Sequence, residues 1–226
     1  MRTQELPGAM TGLLAVLLSL AVGAETARAA PIEVGGILFA AGEAAFADEV
    51  VSFVVPPSVT NVDPSAALGV PDGDFVSIGT EGELVLRFVD NSVTTSGTPD
   101  DDLYVFEGGS AFEQIALSVS TDGLGWIEVG TSTAATTGFD LDAFVGAGIV
   151  PGTRYSFVRI VDLLPEESNL FFAGADIEGV GAIASGPAVP EPACALLVAL
   201  SVAATARRAR ARLLADTIAP RGSPKP

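Results

Sequence analysis

The sequence predicts an all-β domain, an antiparallel sandwich or barrel, on three observations. Apolar residues recur with period two in short runs: Leu84, Leu86 and Phe88 interleave with Glu83, Val85 and Arg87, and Ile115, Leu117 and Val119 with Ala116, Ser118 and Ser120. Turn-forming groups separate the runs at Pro71-Asp72-Gly73, Asp90-Asn91-Ser92, Gly108-Gly109 and Asp122-Gly123. No stretch of the middle region carries a capped helical pattern of about twelve residues, and residues 140–145 allow a single turn. Further strands are expected at residues 50–55, 75–78, 103–107, 126–129, 155–162 and 177–183.

The ends read differently from the middle. Arg2 precedes an apolar run over residues 13–22, and small residues converge on Ala27-Arg28-Ala29, the pattern a signal peptidase accepts. Residues 1–29 are therefore expected to be a signal helix, cut after Ala29. At the other end, Val189-Pro190-Glu191-Pro192 precedes an apolar stretch over residues 193–206, then Arg207, Arg208, Arg210 and Arg212. Fourteen residues make roughly 21 Å of helix, short of the ~20 residues a comfortable span needs. The Arg cluster favours the membrane as a stop-transfer signal whose long side chains snorkel. Residues 213–226 are expected to be a disordered tail, and Cys194 to be a small apolar residue of the helix.

This ordered triple of motif, apolar run and Arg cluster resembles the sorting tail of PEP-CTERM proteins. The resemblance implies recognition of Val189, Pro190, Glu191 and Pro192 by an exosortase, with the precursor held in the inner membrane of a Gram-negative bacterium. It also implies delivery to the cell surface or an exopolysaccharide matrix.

Between the ends, residues 30–188 hold 24 acidic residues against Arg87, Arg154 and Arg159, a net charge of −21. Such a domain repels nucleic acid. There is no His anywhere, and the single Cys lies in the tail. Ser-His-Asp and Cys-His catalysis, His- or Cys-based metal sites and intrachain disulfides are excluded. The middle also lacks Lys, which removes Schiff-base chemistry. The three Arg residues are expected to pair with local carboxylates, and Trp126, Tyr104 and Tyr155 to pack in the core.

Within the middle, Ser120-Thr121-Asp122-Gly123-Leu124-Gly125-Trp126-Ile127-Glu128-Val129-Gly130 is similar to the S-x-D-G-x-x-W-x-x-V hairpin of discoidin-like, galactose-binding-like jelly rolls. The strands at 102–107 and 155–162 look like others of that fold. The fold thus implied is an antiparallel jelly-roll β-sandwich, with Asp122-Gly123 as the turn and Trp126 packed back onto the sheet. Such folds often carry a structural Ca²⁺ near their strand ends, which makes Asp102, Glu107, Asp176 and Glu178 its candidate ligands. Asp100-Asp101-Asp102 is the densest carboxylate group, Asp176 and Glu178 are two apart on the last strand, and Asp140 and Asp142 form a second pair. No EF-hand loop is present.

The expected function is a non-enzymatic structural or adhesive protein of the cell surface or matrix, with no catalytic residues. The alternatives are a Ca²⁺-assisted carbohydrate-binding module, marked by an aromatic cleft beside acidic loops, and a glycoside hydrolase, marked by a buried carboxylate pair in a pocket.

Overall fold

The computed structural model describes residues 30–187, apart from 58, 110–112 and 164–173. The expected signal helix with its Ala29 cleavage site, the Val189–Pro192 motif, the apolar helix, the Arg cluster and the tail all lie outside the described residues. Among the described residues, no helix is long and apolar enough to cross a membrane.

Among the described residues thirteen strands follow in order: β1 (Ile32–Val34), β2 (Ile37–Phe39), β3 (Glu49–Val54), β4 (Val76–Ser77), β5 (Glu83–Arg87), β6 (Asn91–Val93), β7 (Leu103–Glu107), β8 (Ile115–Ser120), β9 (Ile127–Ser132), β10 (Thr136–Phe139), β11 (Phe157–Asp162), β12 (Asp176–Ala182) and β13 (Ser185–Pro187). Short 3₁₀ turns at Gly42–Ala45, Pro64–Ala67 and Asp142–Ala147 are the helical elements among the described residues. Two antiparallel sheets make a sandwich. One runs β10-β7-β12-β4 and the other β3-β5-β11-β8-β9.

The period-two pattern decides which side chains meet between the sheets. Leu84, Leu86 and Phe88 are buried from one sheet, and Leu103, Val105, Ile177 and Val180 from the other, in one shared core. Each such side chain contributes roughly 1.5–3 kcal/mol by leaving water. A second, smaller apolar cluster lies beside the four-stranded sheet. There Phe106 of β7 meets Phe39 and Phe46, with ring centroids 6.0 and 6.2 Å away. The β1–β2 hairpin supplies Phe39, turning through Gly35 and Gly36, both at positive φ.

Two expectations need correction. Asn91 and Ser92 are not turn residues but belong to β6, because Ser185–Pro187 returns beside them as β13. The turn expected at residues 140–145 is a 3₁₀ segment that starts later, at Asp142. The β8–β9 hairpin turns through Asp122-Gly123: Gly123 sits at φ +74°, and the Asp122 carboxylate accepts the N–H groups of Leu124 and Gly125 at 2.8 and 3.0 Å. Those bonds hold the Asp122 carboxyl below its usual range. Trp126 lies half-buried beneath the Arg159 guanidinium, 4.9 Å from its ring centroid.

Candidate functional site

The four expected Ca²⁺ ligands divide between two ends of the sandwich. Asp102 precedes β7 and Glu107 closes it, so their backbones are about 16 Å apart. One ion cannot join them. Asp176 opens β12, which runs antiparallel to β7 with Ile177 opposite Glu107. That register gathers Glu107, Asp176 and Glu178 at one end and leaves Asp102 at the other.

At the first end, Glu107 shares the core-facing side of β7 with Leu103 and Val105 and is only 7% exposed. Burial pushes its carboxyl up to about 8, helped by the hydrogen bond that the protonated Glu107 carboxyl donates to the Glu113 carboxylate, while the Glu113 N–H, 3.3 Å from Oε1, pulls the other way. Ser77 Oγ donates to Asp176 Oδ1, and the Gly108 N–H to the Asp176 carbonyl at 2.6 Å. The strand bulges between Ile177 and Gly179, so Glu178 breaks the strict alternation. Burial raises its carboxyl, with Asp72 adding repulsion.

The Gly108-Gly109 turn lets backbone approach these acids. A Cβ at Gly108 would stand 2.8 Å from Glu178 Oε1, and one at Gly109 3.1 Å from Asp176 Oδ2. Every donor here is a hard oxygen, as Ca²⁺ prefers. Yet no three of Glu107, Glu113, Asp176 and Glu178 bring one oxygen each within 4.8 Å of the others, so they do not form an ion-holding group. Glu113 was not among the expected ligands, because it is far from β12 in sequence and no spacing marks it.

At the other end Asp102 is fully buried and joins Asp140 and Asp142, the second pair, with one carboxylate oxygen of each within 4.8 Å of the others. Its oxygens are already engaged: Oδ1 accepts the Ser96 N–H at 2.8 Å and Oδ2 the Leu141 N–H at 2.9 Å. Asp140 accepts the Asp142 N–H, and Asp142 the Gly97 N–H, both at 2.8 Å. Burial raises the Asp102 carboxyl despite these donors. The trio fastens the 94–98 loop to the start of the 3₁₀ turn, a structural task that uses the acceptors an ion would need.

The large aromatics have separate fates. Tyr155 is core, 2% exposed, and its hydroxyl accepts the Val150 N–H. Trp126 is covered on one face by Arg159. Tyr104 instead lines an open cleft of about 360 Å³ with Asp100, Asp101, Pro99, Ile183 and the β2 residues Ile37 and Leu38. Both cross-strand partners of Tyr104 are glycines, Gly138 of β10 and Gly181 of β12. Phe39 and Phe46 fill the space over Gly181, and Asp101 that over Gly138, where a Cβ would lie 1.9 Å from Asp101 Oδ2. Asp101 is thereby placed to accept the Tyr104 hydroxyl at 2.8 Å. Leu38 is 62% exposed at the rim. A second open cleft, about 440 Å³, is lined by Asn61, Asp63, Asp74 and Phe75.

The Arg residues pair as expected with carboxylates in two cases, Arg87 with Glu49 at 3.3 Å and Arg159 with Glu83 at 4.0 Å. Arg154 donates to the Pro187 carbonyl at 3.3 Å. A buried carboxyl pair does exist, Glu107 with Glu113. Their carboxyls hydrogen-bond each other, whereas a glycosidase needs about 5–9.5 Å between them for the sugar and water. Neither lines either of these two clefts.

No protein-family model and no curated protein matches the chain. Among solved structures it is similar to CpGH89CBM32-6 of Clostridium perfringens, at 14% identity over 61% of this chain and 92% of that one, with a TM-score of 0.35. It is also similar to the C-terminal domain of a chitobiase from Bacteroides fragilis, at 11% identity over 66% and 97%, with a TM-score of 0.34. A third likeness, to a glycoside hydrolase, is 13% identical with a TM-score of 0.29; it covers 46% of this chain, which spans only 19% of that one. At such scores these likenesses establish neither family nor ligand. The sandwich stands on its own sheet registers.

Proposed function

We propose that the protein is an exported, non-enzymatic component of the cell surface or exopolysaccharide matrix. Its sandwich, of the galactose-binding-like jelly-roll type, binds glycan at the Tyr104 cleft. The observation that carries this reading is the cleft itself. An aromatic side chain, two carboxylates and apolar walls meet in an open trough, where a sugar ring can lay its C–H face on Tyr104 and donate hydroxyls to Asp100 and Asp101. Adhesion and matrix building follow from glycan binding without chemistry on the bound sugar.

The sequence carries the export half through the Ala27-Arg28-Ala29 site and the Val189–Pro192 tail.

Glycan binding is tested with the full-length chain, purified in detergent, on a glycan array and by calorimetry. Tyr104→Ala is expected to weaken binding about tenfold, a loss of ~1.4 kcal/mol, and to lower the melting temperature as well, because Tyr104 packs on Phe39. Equal binding by the variant would remove the cleft from the account. For the export route, Pro190→Ala with Glu191→Ala is expected to accumulate precursor in the inner-membrane fraction. Unchanged release to the surface would refute exosortase processing.

A further inference from the structure

We propose that the Tyr104 cleft selects sugars bearing a free, protonated amine, such as the 2-amino-2-deoxyhexoses of a de-acetylated polysaccharide, over their N-acetylated and uronate counterparts. This rests on the glycan-binding reading and concerns the charge of the sugar. The cleft offers Asp100 and Asp101 and no basic side chain. The domain's three Arg residues are committed elsewhere: Arg87 to Glu49 and Phe157, Arg159 to Glu83 and Trp126, and Arg154 to Pro187.

The one side-chain donor lining the cleft is already spent inward: Tyr104 gives its hydroxyl proton to Asp101. What faces a ligand is therefore an acceptor surface with negative charge. An ammonium brings three donors and a compensating charge. An N-acetyl group brings one donor and a carbonyl that finds no donor among these side chains. A uronate meets like charge, reinforced by the −21 of residues 30–188.

The aromatic and apolar walls separate this from adsorption of any cation onto an acidic surface. Tyr104, Ile37, Leu38 and Ile183 give the cleft an apolar wall, which a sugar's C–H face uses and a flexible polyamine does not.

The experiment is calorimetric titration of the full-length chain in detergent, at 0.15 M salt, with four probes: a glucosamine tetramer, an N-acetylglucosamine tetramer, a galacturonic acid tetramer and tetralysine. The glucosamine tetramer is expected to bind about tenfold or more tighter than the N-acetylated one, with the uronate not binding. Asp100→Asn combined with Asp101→Asn is expected to erase that preference, and Tyr104→Ala to weaken both sugars. Equal affinity for the glucosamine and N-acetylglucosamine tetramers would overturn the amine selectivity and leave the glycan reading standing. No binding of any sugar would overturn both. Tetralysine binding as tightly as the amino sugar, with neither variant affecting either probe, would reduce the effect to a generic acidic surface and overturn the proposal.

Discussion

The stability of the protein is expected to fall as the pH rises from about 4.5 to about 8. The Glu107 carboxyl is held up to about 8 in the fold against an ordinary 4.5. Below 4.5 the folded and unfolded chains both keep its proton. Between those values the unfolded chain releases the proton while the folded chain retains it, so unfolding gains up to about 1.4 kcal/mol per pH unit. Above about 8 both forms are ionised and the loss levels off. Asp90, Asp102 and Glu178 are also raised by burial and act with the same sign.

Glu107→Gln should flatten the slope, because the amide has no proton to release. Differential scanning calorimetry of the full chain across pH reads it. An unchanged slope in the variant would remove Glu107 as the source of the pH dependence.

Asp102→Ala is expected to cost about 2–4 kcal/mol, by loss of acceptors for buried donors. The side chain is fully buried and both its oxygens are used. The Leu141 N–H is buried with it and has nowhere to turn, whereas the Ser96 N–H lies at an exposed residue and can take water. Asp102→Asn keeps one acceptor and should cost roughly half as much. Because the role is structural, the loss should be the same with EDTA and with Ca²⁺. Urea denaturation measures it; a cost under about 0.5 kcal/mol for the Ala variant would show that other groups hold the loop. A loss larger with Ca²⁺ than with EDTA would place an ion here.

Much of the sandwich was legible in the chain. Strands β5, β8 and β11 alternate so regularly that Leu84, Leu86, Ile115, Leu117, Val158 and Ile160 could face only one way. The elements that escaped are those whose own residues do not ask for a strand. Thr136–Phe139 holds two Thr and a Gly and becomes β10 because β7 lies beside it. Ile32–Val34 and Ile37–Phe39 are three residues each, too short for a period to show, and gain their place from Phe39 packing on Phe106. Asn91-Ser92 carried turn chemistry that pairing with β13 overrode.

The candidate sites follow the same division. The sequence by itself determined what chemistry is open to this domain: with no His, no Lys and no Cys between the ends, only carboxylates, hydroxyls and three Arg residues remain. It determined the charge and the alternation that sorts side chains between core and surface. Only the tertiary structure decided which acids share an end. Antiparallel pairing of β7 with β12 brings Asp176 to Glu107 across 69 residues of chain and sends Asp102 to the far end to meet Asp140 and Asp142. Likewise, Tyr104 reads as one more strand aromatic until the β1–β2 hairpin and the 99–101 segment come beside it and form the cleft. Composition and periodicity are local properties of the chain, whereas proximity depends on sheet register, which is set by the packing of all the strands at once.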